Sequence, residues 1–193
     1  MSIRTRPSGP PAASVRPSAG GVGRGSSPAA EAVSDALRRH DTPHLSRRRR
    51  IAFLQTLATW ALSVVGLYQF GLVRRVPEPP LPGFDADAVD ASGEAYAMLS
   101  TPDSALGIAS AGVTLALAGM GGANRAAEQP LVPLALFAKT LTDAVGGVYL
   151  TAEQVTRHRK LCSWCTVSAV ALAACVPAAW PEARDALATL RRR

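Results

Sequence analysis

The sequence predicts an all-α fold, a four-helix transmembrane bundle behind a disordered N-terminal tail. Three observations point there. Residues 51–73 run for 23 positions without a charged side chain, and about 20 apolar residues suffice for a helix to cross about 30 Å of hydrocarbon. Three further apolar stretches follow, at 105–122, 130–150 and 162–180. Six of the chain's 15 Pro and five of its 16 Gly fall in the first 50 residues, and only 5% of all residues are aromatic, which argues against a uniform globule.

With 193 residues the chain is long enough for one ordinary domain. Residues 4–25 are rich in Ser, Gly, Pro, Ala and Arg. Such a segment buries too little apolar surface to offset its conformational entropy, so it reads as a disordered tail. No apolar core follows closely enough for a secretory signal. The predicted organisation is a basic tail over residues 1–46, a membrane domain over 47–181 and a short basic cytoplasmic tail over 182–193.

The formal net charge is +7, and ten of the 21 Lys and Arg lie in the first 50 residues. They are not interleaved with aromatics or set on a reading element, so no nucleic-acid partner is expected. Arg47 to Arg50 directly precede the first apolar run, which reads as a topology signal.

Residues 51–73 form the first span. The second, 105–122, is rich in Gly, Ala, Ser and Thr, which lets helix backbones approach closely; Pro102 and Asp103 mark its entry. The third, 130–150, contains Lys139 and Asp143, which are four apart and so share a face where they can pair. Lys139 reads as half of a structural ion pair or as a cation near a bound polar headgroup, and a soluble amphipathic helix is the alternative for the segment. The fourth, 162–180, is expected to end at Pro177 and Pro181. With the N-terminus inside, eleven Lys and Arg flank the inner ends of the spans and five the outer ends. This bias predicts an integral protein of the inner or plasma membrane, both termini cytoplasmic and residues 162–165 at the outer face.

Between the first two spans, residues 74–104 form an acidic outer loop opened by prolines at 77, 79, 80 and 82, hence stiff and extended at its start. A short helix over 92–100 would lay Tyr96, Leu99 and Met98 over the bundle mouth. Thr151-Ala-Glu-Gln154 has capping-box spacing, predicting a short helix that carries His158 and Lys160 toward Cys162.

The chemistry concentrates in Cys162-Ser-Trp-Cys165. Two thiols three residues apart at a helix start can close a disulfide, and the helix N-terminus favours thiolate. His158, Arg159 and Lys160 add positive charge, although a basic juxtamembrane loop also suits a lipid-headgroup anchor. Half of a zinc site is the competing reading, but no second CxxC or clustered His completes a tetrahedral set; two unrelated buried thiols is another. Cys175, ten residues beyond Cys165, reads as a small packing hydrophobe.

These residues carry a family resemblance. The run from Asp143-Ala-Val-Gly-Gly-Val-Tyr149 through Arg157-His-Arg-Lys-Leu-Cys-Ser-Trp-Cys165 resembles the third and fourth helices of the vitamin K epoxide reductase family. Ala97-Met-Leu-Ser-Thr-Pro102, with Leu106-Gly-Ile108, resembles the segment ahead of its second helix. The resemblance covers about residues 50–180. It implies a four-helix membrane bundle enclosing a quinone site beside the CxxC, with membrane lipid and quinone as partners and no metal. Cys165 would face the quinone and Cys162 would exchange disulfides with a donor. Ser100, Thr101, Lys139 and Trp164 would line or cap the quinone site, although capping of the second helix explains the two hydroxyls equally well. Family members usually carry a shuttle pair of cysteines in the first outer loop, yet residues 87–97 contain none. Either an external thioredoxin-like protein reaches Cys162 directly, or the relay is gone and the fold retains only quinone or lipid binding. The expected activity is a membrane thiol–disulfide oxidoreductase. A non-catalytic four-helix membrane protein and a soluble helical protein, compatible with a mean hydropathy of +0.12, are the alternatives.

Overall fold

The computed structural model describes residues 27–193; the disorder expected of residues 4–25 lies outside them. Among the described residues there are seven α-helices and no strand. They are α1 (Pro28–Arg39), α2 (Pro43–Gln69), α3 (Ala86–Asp90), α4 (Asp103–Gly119), α5 (Arg125–Glu128), α6 (Leu131–Glu153) and α7 (Ser163–Arg191).

Residues 28–39, assigned to the tail from composition, form a helix. The Ser27 hydroxyl accepts the Ala30 N–H at 3.2 Å, Pro28 opens the first turn, and Glu31 and Arg38–Arg39 sit at the ends that suit their charges. Thr42 and Pro43 start α2 in the same way, so α2 begins well before the uncharged run and takes Arg47–Arg50 into the helix. Its buried positions Leu45, Arg48, Ile51, Gln55, Ala58, Ala61 and Val65 recur at three- and four-residue steps, while Phe53, Trp60 and Leu67 point outward. Exposed large apolar side chains in such numbers suit a lipid-facing surface.

Helices α2, α6 and α7 are long and apolar enough to cross a membrane. The second expected span, α4, has 17 residues, about 25 Å at 1.5 Å per residue. It packs along α2, and α7 packs along both α2 and α6. The ends of α2 and α4 are tied to each other. At one end Gln69 donates to Asp103 Oδ1 at 2.8 Å. At the other, the buried Arg48 guanidinium donates to the carbonyls of Ala118, Met120, Gly121 and Gly122. One arginine of the basic run therefore satisfies the orphan carbonyls at the end of α4.

Three expectations from local sequence are overturned. Helix α7 does not stop at Pro177 or Pro181; both lie inside it, and residues 182–191, expected as a tail, are its last turns. The helix continues because Glu182, Ala183 and Ala186 are buried, and bundle helices tolerate proline where neighbouring groups re-satisfy the backbone. Glu182 receives two hydrogen bonds from Arg125, at 2.9 and 2.7 Å. Thr151 does not cap a new helix: it lies inside α6 and donates to Gly147 O. Helix α6 runs on into a π-helical turn, Gln154–His158, and stops at Arg159, whose φ of 53° is left-handed. The loop between α2 and α4 contains α3, and only Gly93–Tyr96 of the expected 92–100 helix is helical, as a 3₁₀ turn. Tyr96 is anchored to Gln69 O, whereas Met98 and Leu99 are exposed.

Candidate active site

Cys162 is the N-cap of α7. Its Sγ accepts the Cys165 N–H at 3.3 Å, and its own N–H donates to Gln154 Oε1 at 3.1 Å. The sulfur therefore sits at the positive end of the longest helix, where negative charge is favoured. The loop between α2 and α4 closes over it. Phe84 and Leu161 form a short parallel bridge, with Asp85 N–H donating to Leu161 O and Leu161 N–H to Gly83 O, both at 2.9 Å. Glu78 accepts the N–H of Ser163 at 2.6 Å and also that of Ala86. Val65, Val76, Ala86 and Val89 pack against Cys162, which is fully buried.

Cys165, one turn along, lines a cavity of about 380 Å³ together with Val89, Ala95, Gly107, Gly147 and Leu172. That volume falls in the range of small-molecule sites. Asp103, Asp143 and His158 also border it. The two cysteines are not joined by a disulfide.

The residue that completes the cluster is Asp90, the last of α3. The Cys165 thiol donates to Asp90 Oδ1 at 3.6 Å. The two sulfurs and one carboxylate oxygen all lie within 4.8 Å of one another, a set one donor short of a tetrahedral zinc site. Asp90 is 1% exposed, and its Oδ2 has no hydrogen-bond partner among the described residues. Burial pushes its carboxyl up to about 7, opposed by the neighbouring Cys162 and Cys165 thiols and reinforced by the negative charges of Asp103 and Glu78.

The basic loop does not supply the expected charge. Among the described residues, no hydrogen bond or ion pair joins His158, Arg159 or Lys160 to either sulfur; Arg157 pairs with Glu94 at 3.1 Å and with Glu153 at 3.2 Å. The groups facing the sulfurs are acidic.

The other candidates are dispersed. Trp164 turns away from the cavity: its ring meets Trp60 edge-on at 5.1 Å and its Nε1 donates to Pro77 O at 2.6 Å. Lys139 forms the ion pair that its spacing predicts, with Nζ 2.5 Å from Asp143 Oδ1 and 2.7 Å from Ser110 Oγ. Ser110 and Asp143 border the cavity, whereas Lys139 does not. Ser100 and Thr101 lie in a turn where Leu99 and Ser100 have φ of 55° and 51°. Thr101 donates to Leu99 O, neither hydroxyl borders the cavity, and α4 has no side-chain cap. Cys175 is a buried packing residue that accepts from Gln55 at 3.6 Å.

Sequence reasoning missed Asp90, Glu78 and Gln154. A signal existed for the first: Asp85 caps α3 through the Ala88 N–H, and Ala86, Val89 and Asp90 follow at the spacing of one buried helix face.

Residues 50–180 match the vitamin K epoxide reductase family model. No curated protein and no solved structure matches the chain. The family is one of membrane thiol–disulfide oxidoreductases, in keeping with three helices able to span a bilayer. A CxxC opening the last long helix, beside a ligand-sized cavity, fits that membership. By a match over most of its 193 residues, the chain belongs to the vitamin K epoxide reductase family.

Proposed function

We propose that the protein is a quinone-linked thiol–disulfide oxidoreductase in which Cys162 and Cys165 cycle between dithiol and disulfide. The observation that carries this reading is that Cys165 borders the 380 Å³ cavity while Cys162 lies directly behind it, within 4.8 Å. A quinone ring in the cavity meets one sulfur, and the second sulfur is placed to attack the first. The cavity walls supply apolar surface from Val89, Ala95 and Leu172 for the ring. The chain's own part is to hold the two sulfurs together and to exclude water under the α3 loop.

In this reading α4 is the fourth membrane crossing, because its two ends are tied to the two ends of α2. Both termini lie on the cytoplasmic side and the cysteines at the outer rim, as the excess of Lys and Arg supports. The electron donor is a thiol protein of thioredoxin type. Since Cys162 is 0% exposed beneath Val76, Ala86 and Val89, disulfide exchange with that donor requires the α3 segment to lift.

The test is a redox titration of the purified protein in detergent. Dithiothreitol serves as donor and a short-chain quinone as acceptor, with alkylation of Cys162 and Cys165 as readout. Quinone should protect both cysteines from alkylation, and Cys165→Ala should abolish quinone reduction. If both cysteines stay fully alkylatable in excess quinone, or the Cys162→Ala, Cys165→Ala variant turns over normally, the protein is a non-catalytic bundle of the same fold.

A further inference from the structure

We propose that Asp90 is a catalytic residue, the carboxylate that takes the Cys165 thiol proton as the Cys162–Cys165 disulfide forms and returns it when that disulfide is reduced. This assignment rests on the quinone-linked reading above.

Oxidation of the pair removes two protons and two electrons. The Cys165 thiolate bonds to the quinone ring. Cys162, giving up its own proton, then attacks Cys165 Sγ. The sulfur–carbon bond breaks, its electron pair stays with the ring, and the ring takes up two protons to become the hydroquinone, one released by Cys162 and one drawn from water at the cavity mouth, while Asp90 keeps the Cys165 proton until the disulfide is reduced. Cys165 is half-buried at the cavity wall, and its proton leaves most directly to an acceptor that already touches the sulfur. Asp90 Oδ1 does, at 3.6 Å. Its Oδ2 is buried and unpartnered among the described residues, leaving a free lone pair beside the sulfur cluster rather than a carboxylate used up in capping or pairing.

The other acids of the loop are used up in that way. Asp85 caps α3, Asp87 accepts the Val76 N–H at 2.8 Å, and Glu78 caps α7. The charged and titratable groups facing Asp90 are Glu78 from the loop, Asp103 from α4, Tyr68 from α2, and Cys162 and Cys165 from α7. On the π-helical turn, Arg157 is held by Glu94 and Glu153. His158 of the same turn borders the cavity but makes no hydrogen bond or ion pair to Asp90 among the described residues, so the groups nearest Asp90 are acids and thiols, and it holds a proton at little cost and gives it up near neutral pH. It occupies the stretch of loop, residues 87–97, that contains no cysteine.

The experiment measures quinone reduction by purified protein in detergent, with dithiothreitol as donor, from about pH 5.5 to about pH 8.5, a range that brackets the raised Asp90 ionisation. Wild-type turnover should rise with pH through an inflection near neutrality, because the ionised carboxylate is the acceptor. In Asp90→Asn the rate at pH 7 should fall roughly 100-fold and the inflection should vanish. Asp90→Ala with added formate, a small carboxylate able to occupy the vacated space, should regain part of the rate. Cys165→Ala is run in parallel. If Cys165→Ala is dead while Asp90→Asn keeps the wild-type rate and inflection, the Asp90 assignment is overturned and the redox reading survives. If Cys165→Ala turns over like wild type, the redox reading itself fails.

Discussion

Glu78 and Ser163 are joined by a 2.6 Å hydrogen bond from the Ser163 N–H to the Glu78 carboxylate, which also accepts from Ala86. One acidic side chain from the outer loop thereby caps the first turn of both α7 and α3. This is the clasp that keeps the loop over Cys162.

Removing the clasp should uncover the sulfur. Glu78→Ala leaves two helix N–H groups without their acceptor, at a cost of about 1–3 kcal/mol. The expected result is faster alkylation of Cys162 by a maleimide, with a lower melting temperature in detergent. Glu78→Gln, which keeps an acceptor oxygen, should lie between. Unchanged Cys162 reactivity in Glu78→Ala would show that the loop is held elsewhere.

Asp90 should leave a signature in stability as well as in turnover. Its folded-state carboxyl is raised to about 7 by burial, so the native state keeps the proton where the unfolded chain has released it. Stability from this group is fully present below about pH 4 and is lost as pH rises through about 7. Wild-type melting temperature should therefore fall relative to that of Asp90→Asn between those limits and run parallel to it above. Parallel curves throughout the range would contradict the burial of an ionisable group there.

At the opposite end of the bundle, Arg125 and Glu182 form an ion pair with 0% and 4% side-chain exposure. Arg125 also donates to the carbonyls of Leu117 and Met120. Arg125→Met strands a buried carboxylate and the Leu117 carbonyl, while Met120 O keeps its bond from Arg48, and should cost about 3–5 kcal/mol. Glu182→Gln keeps an oxygen for the guanidinium and should cost clearly less. Thermal unfolding of the two variants in detergent decides the order, and the reverse order would place the anchoring role on the glutamate.

Gly107 of α4 faces Leu62 of α2. A Cβ there would lie 2.8 Å from Leu62 Cδ1, the mobile end of a side chain. Gly107→Ala should be nearly neutral, because Leu62 can rotate and alanine favours the helix by about 1 kcal/mol. Gly107→Leu should cost about 1–3 kcal/mol. Since Gly107 borders the cavity, the larger residue should also weaken quinone binding, as measured by quinone protection of Cys165 from alkylation. Unaltered protection would place the ring away from α4.

What the linear order determined was everything carried by runs and short spacings. Apolar stretches long enough to span hydrocarbon announced α2, α6 and α7, the i,i+4 step paired Lys139 with Asp143, and three-residue spacing set Cys162 and Cys165 on one turn. Local rules failed where distant groups overrode them. Pro177 and Pro181 do not end α7, because Glu182 is held by Arg125 from 57 positions away in sequence. Thr151 and Gln154 look like a helix start but lie within and just past α6. Only the tertiary structure could choose Asp90 from the acids of the outer loop. All of them look alike in sequence, and the choice depends on which one the Phe84–Leu161 bridge and the Glu78 clasp press against α7 and strip of water. Burial turns an ordinary surface acid into a group with chemistry, and burial is decided by which segments meet.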